Sequence, residues 1–184
     1  MRLLHKAAGL FAALMLPLAA CHAALGVGAK APGFETQASL AGKDFGFSLA
    51  SALKKGPVVL YFFPAAFTKG CTVEAHEFAE ATDDFNRMGA TVIGMAADPI
   101  EKLNKFSVEE CRNKFAVGVA TPAMIKGYDV ALTSIPGLSG RTDRTSYVIA
   151  PDGKIIFAYS ALNPAGHVKG TMDAVKAWKA ARAG

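Results

Sequence analysis

Cysteine is scarce in this chain. Its 184 residues include three, Cys21, Cys71 and Cys111, and no two are spaced as C-x-x-C. That absence argues against a vicinal dithiol redox pair and against a zinc ribbon. Charge is sparse as well: 19% of residues are charged, and the only tight basic cluster is Lys54-Lys55. No basic stripe is interleaved with aromatics, so nucleic-acid binding is not indicated and the charges read as a solvated surface. Past the N-terminal two dozen residues there is no internal repeat, no linker and no low-complexity tract. With 52% apolar residues, a chain of this length suits one globular domain with a sizeable core.

Part of the apolar excess sits at the N-terminus. Arg2 and Lys6 precede the unbroken run AAGLFAALMLPLAA. The run is too short and too alanine-rich for a membrane span and fits a secretory signal over residues 1–23, ahead of a domain at 24–184. Leu18-Ala19-Ala20-Cys21 resembles a bacterial lipobox, which would make Cys21 the lipidated first residue and anchor the protein to a membrane. Ordinary cleavage after Ala23 fits the same residues. Either way the protein is expected to be exported, to the periplasm. Without Arg2 and Lys6 the chain keeps 18 basic residues against 15 acidic ones, a net charge of +3. Two thiols, Cys71 and Cys111, then remain in a compartment that favours disulfides.

The rest of the chain alternates strand and helix signals. The segment GVGAKAPGFE is an extended lead-in, KDFGFSL has the period of a short strand, and LASALKK makes a helical turn ended by Gly56-Pro57. VVLYFF (58–63) is a β-branched and aromatic run suited to a central strand buried on both faces. A helix is predicted over 68–88 with Phe78, Phe85 and Met88 inward and Gly89 as its C′ residue. ATVIGMAA (90–97) is a strand. Asp98-Pro99 opens a helix to about Lys114 with proline at its first position, on which Leu103, Ser107, Cys111 and Phe115 recur every four residues and put Cys111 inward. A short strand at 116–121, a helical turn in PAMIKGYDV and a surface loop in ALTSIPGLSGRTD follow. RTSYVIAPDGKIIFAYS reads as a hairpin across Pro151-Asp152-Gly153. A final helix at about 167–182 carries Val168, Met172, Val175 and Trp178 on its apolar face. Parallel β-α-β units with a hairpin and a terminal helix give an α/β fold, a mixed sheet flanked by helices in the thioredoxin-like outline.

The stretch FFPAAFTKGCTVEAHEF (62–78) carries the chemistry. The buried strand stops at Pro64, which has no backbone N–H and walls one side of a pocket. Cys71 falls in the first turn of the next helix, where unpaired N–H groups and the helix dipole favour the nucleophilic thiolate. Thr68, one turn back, offers a hydroxyl near the sulfur. Spacing alone also allows a small buried cysteine with Thr68 as a plain N-cap.

At these residues the chain resembles the peroxiredoxins, the thiol-specific antioxidant and alkyl hydroperoxide reductase family of thiol peroxidases. PAAFTKGC, Pro64 to Cys71, matches their P-x-x-x-T-x-x-C signature, and VGAKAPGFE, VVLYFFP, ATVIGMAAD and RTSYVIAPDGK stand where such proteins have landmarks. The likeness spans about Leu25 to Trp178. It implies a thioredoxin-like fold with the family's N-terminal extension and a peroxidase that uses no cofactor. Cys71 is then the peroxidatic cysteine, Thr68 the hydroxyl that binds thiolate and peroxide, Arg144 the permanent charge beside them, and Pro64 the pocket wall. Glu74 matches a carboxylate that holds arginines in place; Arg141 and Arg112 are candidates for a second arginine. The implied partners are a peroxide substrate and a thioredoxin-like or other dithiol reductant, with the protein acting as monomer or homodimer.

One position departs from the Q-type (bacterioferritin-comigratory) group, which the chain resembles most. That group often has a resolving cysteine five residues after the peroxidatic one, and here the position is His76. His76 reads as a solvent-facing or capping residue, or as a proton donor to the sulfenate. The resemblance offers another route, since some members resolve instead with a cysteine in the following helix, where Cys111 lies forty positions on; the other reading is a buried, inert thiol. Bridging two helical cysteines requires local unwinding of both segments. Two other readings remain: a one-cysteine peroxidase or redox sensor resolved by an external thiol, and a non-catalytic lipoprotein of this fold that binds a partner or copper.

Overall fold

A computed structural model describes residues 24–183. The expected signal segment and Cys21 lie outside the described residues. Seven strands form one mixed sheet: β1 (Glu35–Leu40), β2 (Lys43–Ser48), β3 (Val58–Phe62), β4 (Thr91–Ala96), β5 (Ala116–Val119), β6 (Thr145–Ile149) and β7 (Ile155–Ser160), in the order β2-β1-β5-β4-β3-β6-β7. The helices are α1 (Leu49–Leu53), α2 (Lys69–Arg87), α3 (Ile100–Glu109), α4 (Pro122–Gly127) and α5 (His167–Ala183). Strands β3, β4 and β5 run parallel, linked by α2 and α3, while β6 joins β3 antiparallel. This is the expected mixed sheet between helices.

The central strand explains the layering. All five residues of β3 are buried, and their side chains alternate between the two faces as the pleat requires. Leu60 and Phe62 enter a core with Met95, Tyr128 and Tyr147. Val59, Tyr61 and Phe63 enter a second core with Phe78, Phe85, Phe106, Cys71 and Cys111. The second core lies under α2, α3 and α5 and contains both thiols. At the end of α2, Gly89 takes a left-handed conformation (φ 78°). The N–H groups of Gly89 and Ala90 donate back to the carbonyls of Asn86 and Phe85, which closes the helix as a Schellman motif.

Two sequence expectations require correction. Strand β1 was not among the expected elements, because ETQASL shows little apolar alternation; its pairing with β2 across Ala41-Gly42, both at positive φ, makes it a tight two-residue hairpin. The helix after Asp98-Pro99 ends at Glu109, not near Lys114, and Pro99 is its N-cap, not its first residue. The termination is visible in the hydrogen bonds. Cys111 N–H bonds back to the Phe106 carbonyl, and Arg112 and Asn113 then adopt φ of 50° and 58°, a left-handed turn that ends helical propagation. Cys111 therefore faces inward, as its spacing predicts, but from a turn and not from a helix.

Candidate active site

The loop from β3 to α2 is fixed before the helix begins. Thr142 Oγ1 donates to the Phe63 carbonyl (2.6 Å), and the Ala66 N–H donates to Asp98 Oδ2 (2.8 Å). Asp98 also accepts from Arg141 Nη1 (2.6 Å) and Lys102 Nζ (3.0 Å). Burial would raise this carboxyl, but the Ala66 N–H and the two cations outweigh burial and hold it below the usual range. Phe67 then turns through φ 66° and sets its ring edge-on to Phe106. Thr68 is the N-cap of α2, which makes Cys71 the third helical residue, in the turn whose N–H groups lack helical partners.

Cys71 is buried, 1% exposed, and free. Arg144, one residue before β6, reaches it: Nη2 lies 3.4 Å from Sγ. The guanidinium is pinned on its other edges, Nε to the Leu162 carbonyl (2.8 Å) and Nη1 to Glu74 Oε2. Gly70 leaves the room for this approach, since a Cβ there would stand 3.1 Å from Arg144 Nη2. Burial lowers the tendency of Arg144 to hold its proton, yet Glu74 and Cys71 together raise it. Glu74 behaves oppositely. Burial pushes its carboxyl up to about 8 despite the arginine.

Of the residues singled out from sequence, Cys71, Glu74 and Arg144 meet in one buried cluster. Pro64 is half-buried at the start of the loop. Thr68 is exposed at the helix start, and its hydroxyl donates to the Ala65 carbonyl (3.0 Å) and not to the sulfur. Arg141 pairs with Asp98, and Arg112 pairs with Glu80 on the outer side of α2. His76 Nε2 lies 2.7 Å from Glu110 Oε2, so it ties α2 to the residue before Cys111. Cys111 is fully buried and free, and burial followed by the charge of Glu110 pushes its thiol up.

Two residues that shape the site escaped the sequence reading. Asp98 gives one signal, an acid at the carboxyl end of a central parallel strand, where sites of α/β sheets gather. His167, the first residue of α5, is fully buried behind Arg144, with its ring against Tyr159. Nothing in its local sequence marks it, because what buries it is the loop after β7.

A thiol in a first helical turn beside a buried guanidinium agrees with what comparison finds. The family model described as AhpC/TSA family matches residues 27–158. The chain belongs to the AhpC/TSA family. It is a peroxiredoxin of the Bcp/Q type and so a thiol peroxidase. A putative peroxiredoxin of Mycobacterium tuberculosis is 36% identical over 117 residues, covering 61% of this chain and 73% of the relative. The crystal structure of peroxidoxin BcpB from Mycobacterium tuberculosis superposes with a TM-score of 0.73 at 28% identity, covering 82% of this chain and 96% of that one. A PrxQ mutant of Xylella fastidiosa gives a TM-score of 0.73 over 84% of this chain and 97% of its own, at 22% identity, which speaks to the fold alone.

Proposed function

We propose that Cys71 is the peroxidatic residue of this thiol peroxidase, a role carried by the 3.4 Å approach of Arg144 Nη2 to its Sγ. The thiolate attacks the terminal, hydrogen-bearing oxygen of a hydroperoxide. An S–O bond forms as the O–O bond breaks, and sulfur is oxidised to a sulfenic acid. The departing oxygen takes up one proton, replacing the one the thiol released, and leaves as alcohol, or as water from hydrogen peroxide. The Arg144 charge faces the negative charge as it moves along the breaking bond. Glu74 orients Arg144, Pro64 walls the pocket, and Thr68, exposed at the helix start, offers its hydroxyl to the incoming peroxide.

Cys111 then attacks the Cys71 sulfenic sulfur, a disulfide forms and water leaves. An external dithiol protein of the thioredoxin kind reduces that disulfide and is itself oxidised to one. Support for Cys111 comes from its place in a turn beyond α3, since a turn opens at lower cost than a helix unwinds. Residues 1–23 act as a secretory or lipoprotein signal and 24–184 as the peroxidase domain, exported to the periplasm, free or tethered through Cys21, and active as a monomer or homodimer.

Intact mass before and after one equivalent of peroxide tests these assignments together. The mature chain is expected to lose two hydrogens as the disulfide forms, and its starting mass reports cleavage or lipidation. Cys71→Ser is expected to abolish the change. Cys111→Ser is expected to stop at a sulfenic acid after the first equivalent and to lose multiple turnover with a disulfide reductant. Retained turnover in Cys111→Ser would instead make this a one-cysteine peroxidase served by an external thiol.

A further inference from the structure

Among the described residues, the ion pairs that join separate elements outside the Cys71 site gather at one place, the turn that carries Cys111. His76 Nε2 lies 2.7 Å from Glu110 Oε2, and a carboxylate can only accept, so Nε2 carries a hydrogen. Arg112 Nη1 donates to Glu80 Oε1 (3.1 Å), and Lys114 Nζ donates to Asp83 Oδ2 (3.0 Å). Residues 76, 80 and 83 are spaced i, i+4 and i+7, one stripe along α2. Residues 110, 112 and 114 bracket Cys111 and meet that stripe in the same order. The turn is thus fastened at three points along the helix whose first turn holds Cys71.

What these pairs hold down is a strained segment. Arg112 and Asn113 both take left-handed backbone, φ 50° and 58°, which residues with a Cβ adopt at a cost. Cys111 beside them is buried, as is Cys71, and the two are not bridged. The fastening nearest Cys71 is at His76, five residues and about 7.5 Å further along α2. Cys111 therefore has to travel back toward the helix start to reach the other sulfur. Exposed pairs of this kind shift an equilibrium by only about twofold each, a hold that a strained turn can break.

We propose that His76, Glu80 and Asp83 are positioning residues for the second step. Paired with Glu110, Arg112 and Lys114, they clasp the Cys111 turn against α2, and release of the clasp sets the rate at which Cys111 reaches the Cys71 sulfenic acid. On release the S–S bond forms as the S–O bond breaks, and the departing hydroxide leaves as water with the Cys111 proton. The inference rests on Cys111 being the resolving thiol. His76, which stands where the Q-type group often has its resolving cysteine, then takes part in the same step by another means.

Rapid acid quench after one equivalent of peroxide, followed by intact mass, times the gain of oxygen and then the loss of water that marks the disulfide. The triple variant His76→Ala/Glu80→Gln/Asp83→Asn removes the α2 half of the clasp and leaves the charges beside Cys111 in place. Disulfide formation is expected to speed up about tenfold, three pairs acting together, while the first oxidation keeps its wild-type rate. Salt should act on the wild type in the same direction. Raising it from about 0.05 M to about 0.5 M screens the pairs and is expected to speed the second step about threefold, with no such gain in the triple variant. Exchanging one pair separates charge from shape. Glu80→Arg or Arg112→Glu alone is expected to speed the step, and the two together to return it to within about twofold of wild type. An unchanged or slower second step in the triple variant, a wild type indifferent to salt, or acceleration that persists in the exchanged pair overturns the proposal. A wild-type chain that gains oxygen and never loses water would instead remove the role of Cys111 on which the clasp depends.

Discussion

Cys71 and Cys111 are equally buried, 1% and 0% exposed, and lie in one apolar cluster on the same side of the sheet. Their surroundings diverge in charge. Cys71 sits in the first turn of α2 with Arg144 Nη2 at 3.4 Å, so a helix start and a cation both face its sulfur. Cys111 sits past the end of α3, where burial and then Glu110 act together to keep its thiol protonated. Burial alone therefore does not decide what a cysteine does. Placement against a helix end and a buried cation does, and it matches the successive roles proposed for the two thiols: one to meet peroxide, the other to wait until its turn opens.

Removing the cation should break the contrast most severely. Arg144→Gln leaves Cys71 buried with no positive neighbour, close to the situation of Cys111. The second-order rate constant with peroxide is expected to fall about a hundredfold or more, the usual loss when one charge-stabilising donor is removed. Stopped-flow oxidation under single-turnover conditions measures it. A loss below about fivefold would mean that the helix start alone distinguishes the two thiols.

How far the contrast was legible in the sequence depends on the range of the interactions involved. The placement of Cys71 is local: a buried strand, a proline stop and a helix whose first turn holds the thiol all lie within 58–88, and the structure reproduces them. Arg144 was reached only through the family resemblance, which places an arginine at the start of RTSYVIAPDGK; its position beside the central strand follows from the pairing of β6 with β3. The end of α3 was misjudged because the inward spacing of Leu103, Ser107, Cys111 and Phe115 continues through the turn. Periodicity reports which way a side chain faces, and here a left-handed turn keeps Cys111 inward after the helix has stopped. Asp98 and His167 were missed since their roles exist only between segments far apart in the chain. Asp98 joins Ala66 to Arg141, and His167 meets Ser146 and Glu74 across the second core.

Asp98 supplies the next test, because it anchors the loop into Cys71 and Cys111 has no counterpart among the described residues. Asp98→Asn keeps the shape but gives up two charge-assisted bonds, to Arg141 and Lys102. A loss of about 2 kcal/mol at pH 7 is expected from urea unfolding. The sign with pH follows from the depressed native carboxyl. Its contribution is complete above the ordinary aspartate range and disappears as pH falls through the lower native value. The gap between wild type and Asp98→Asn should therefore close on acidification below about pH 4. A gap that is constant with pH would mean that the carboxylate charge contributes nothing and that shape alone holds the loop.

The smallest expected effect probes the closest approach. Gly70 lies where a Cβ would come within 3.1 Å of Arg144 Nη2 and 3.9 Å of Pro164 Cδ. A guanidinium tip can ordinarily yield a few tenths of an ångström, but this one is held by Glu74 and by the Leu162 carbonyl. In Gly70→Ala it must slip away from Sγ or strain one of those bonds. Alanine meanwhile favours the helix over glycine by up to about 1 kcal/mol. The two consequences run in opposite directions: thermal stability should hold or rise slightly while the peroxide rate drops about threefold. A substitution that only disturbed packing would lower both together. If stability and rate both rise, the guanidinium has room to give, and the 3.4 Å approach to Cys71 does not depend on the missing methyl group.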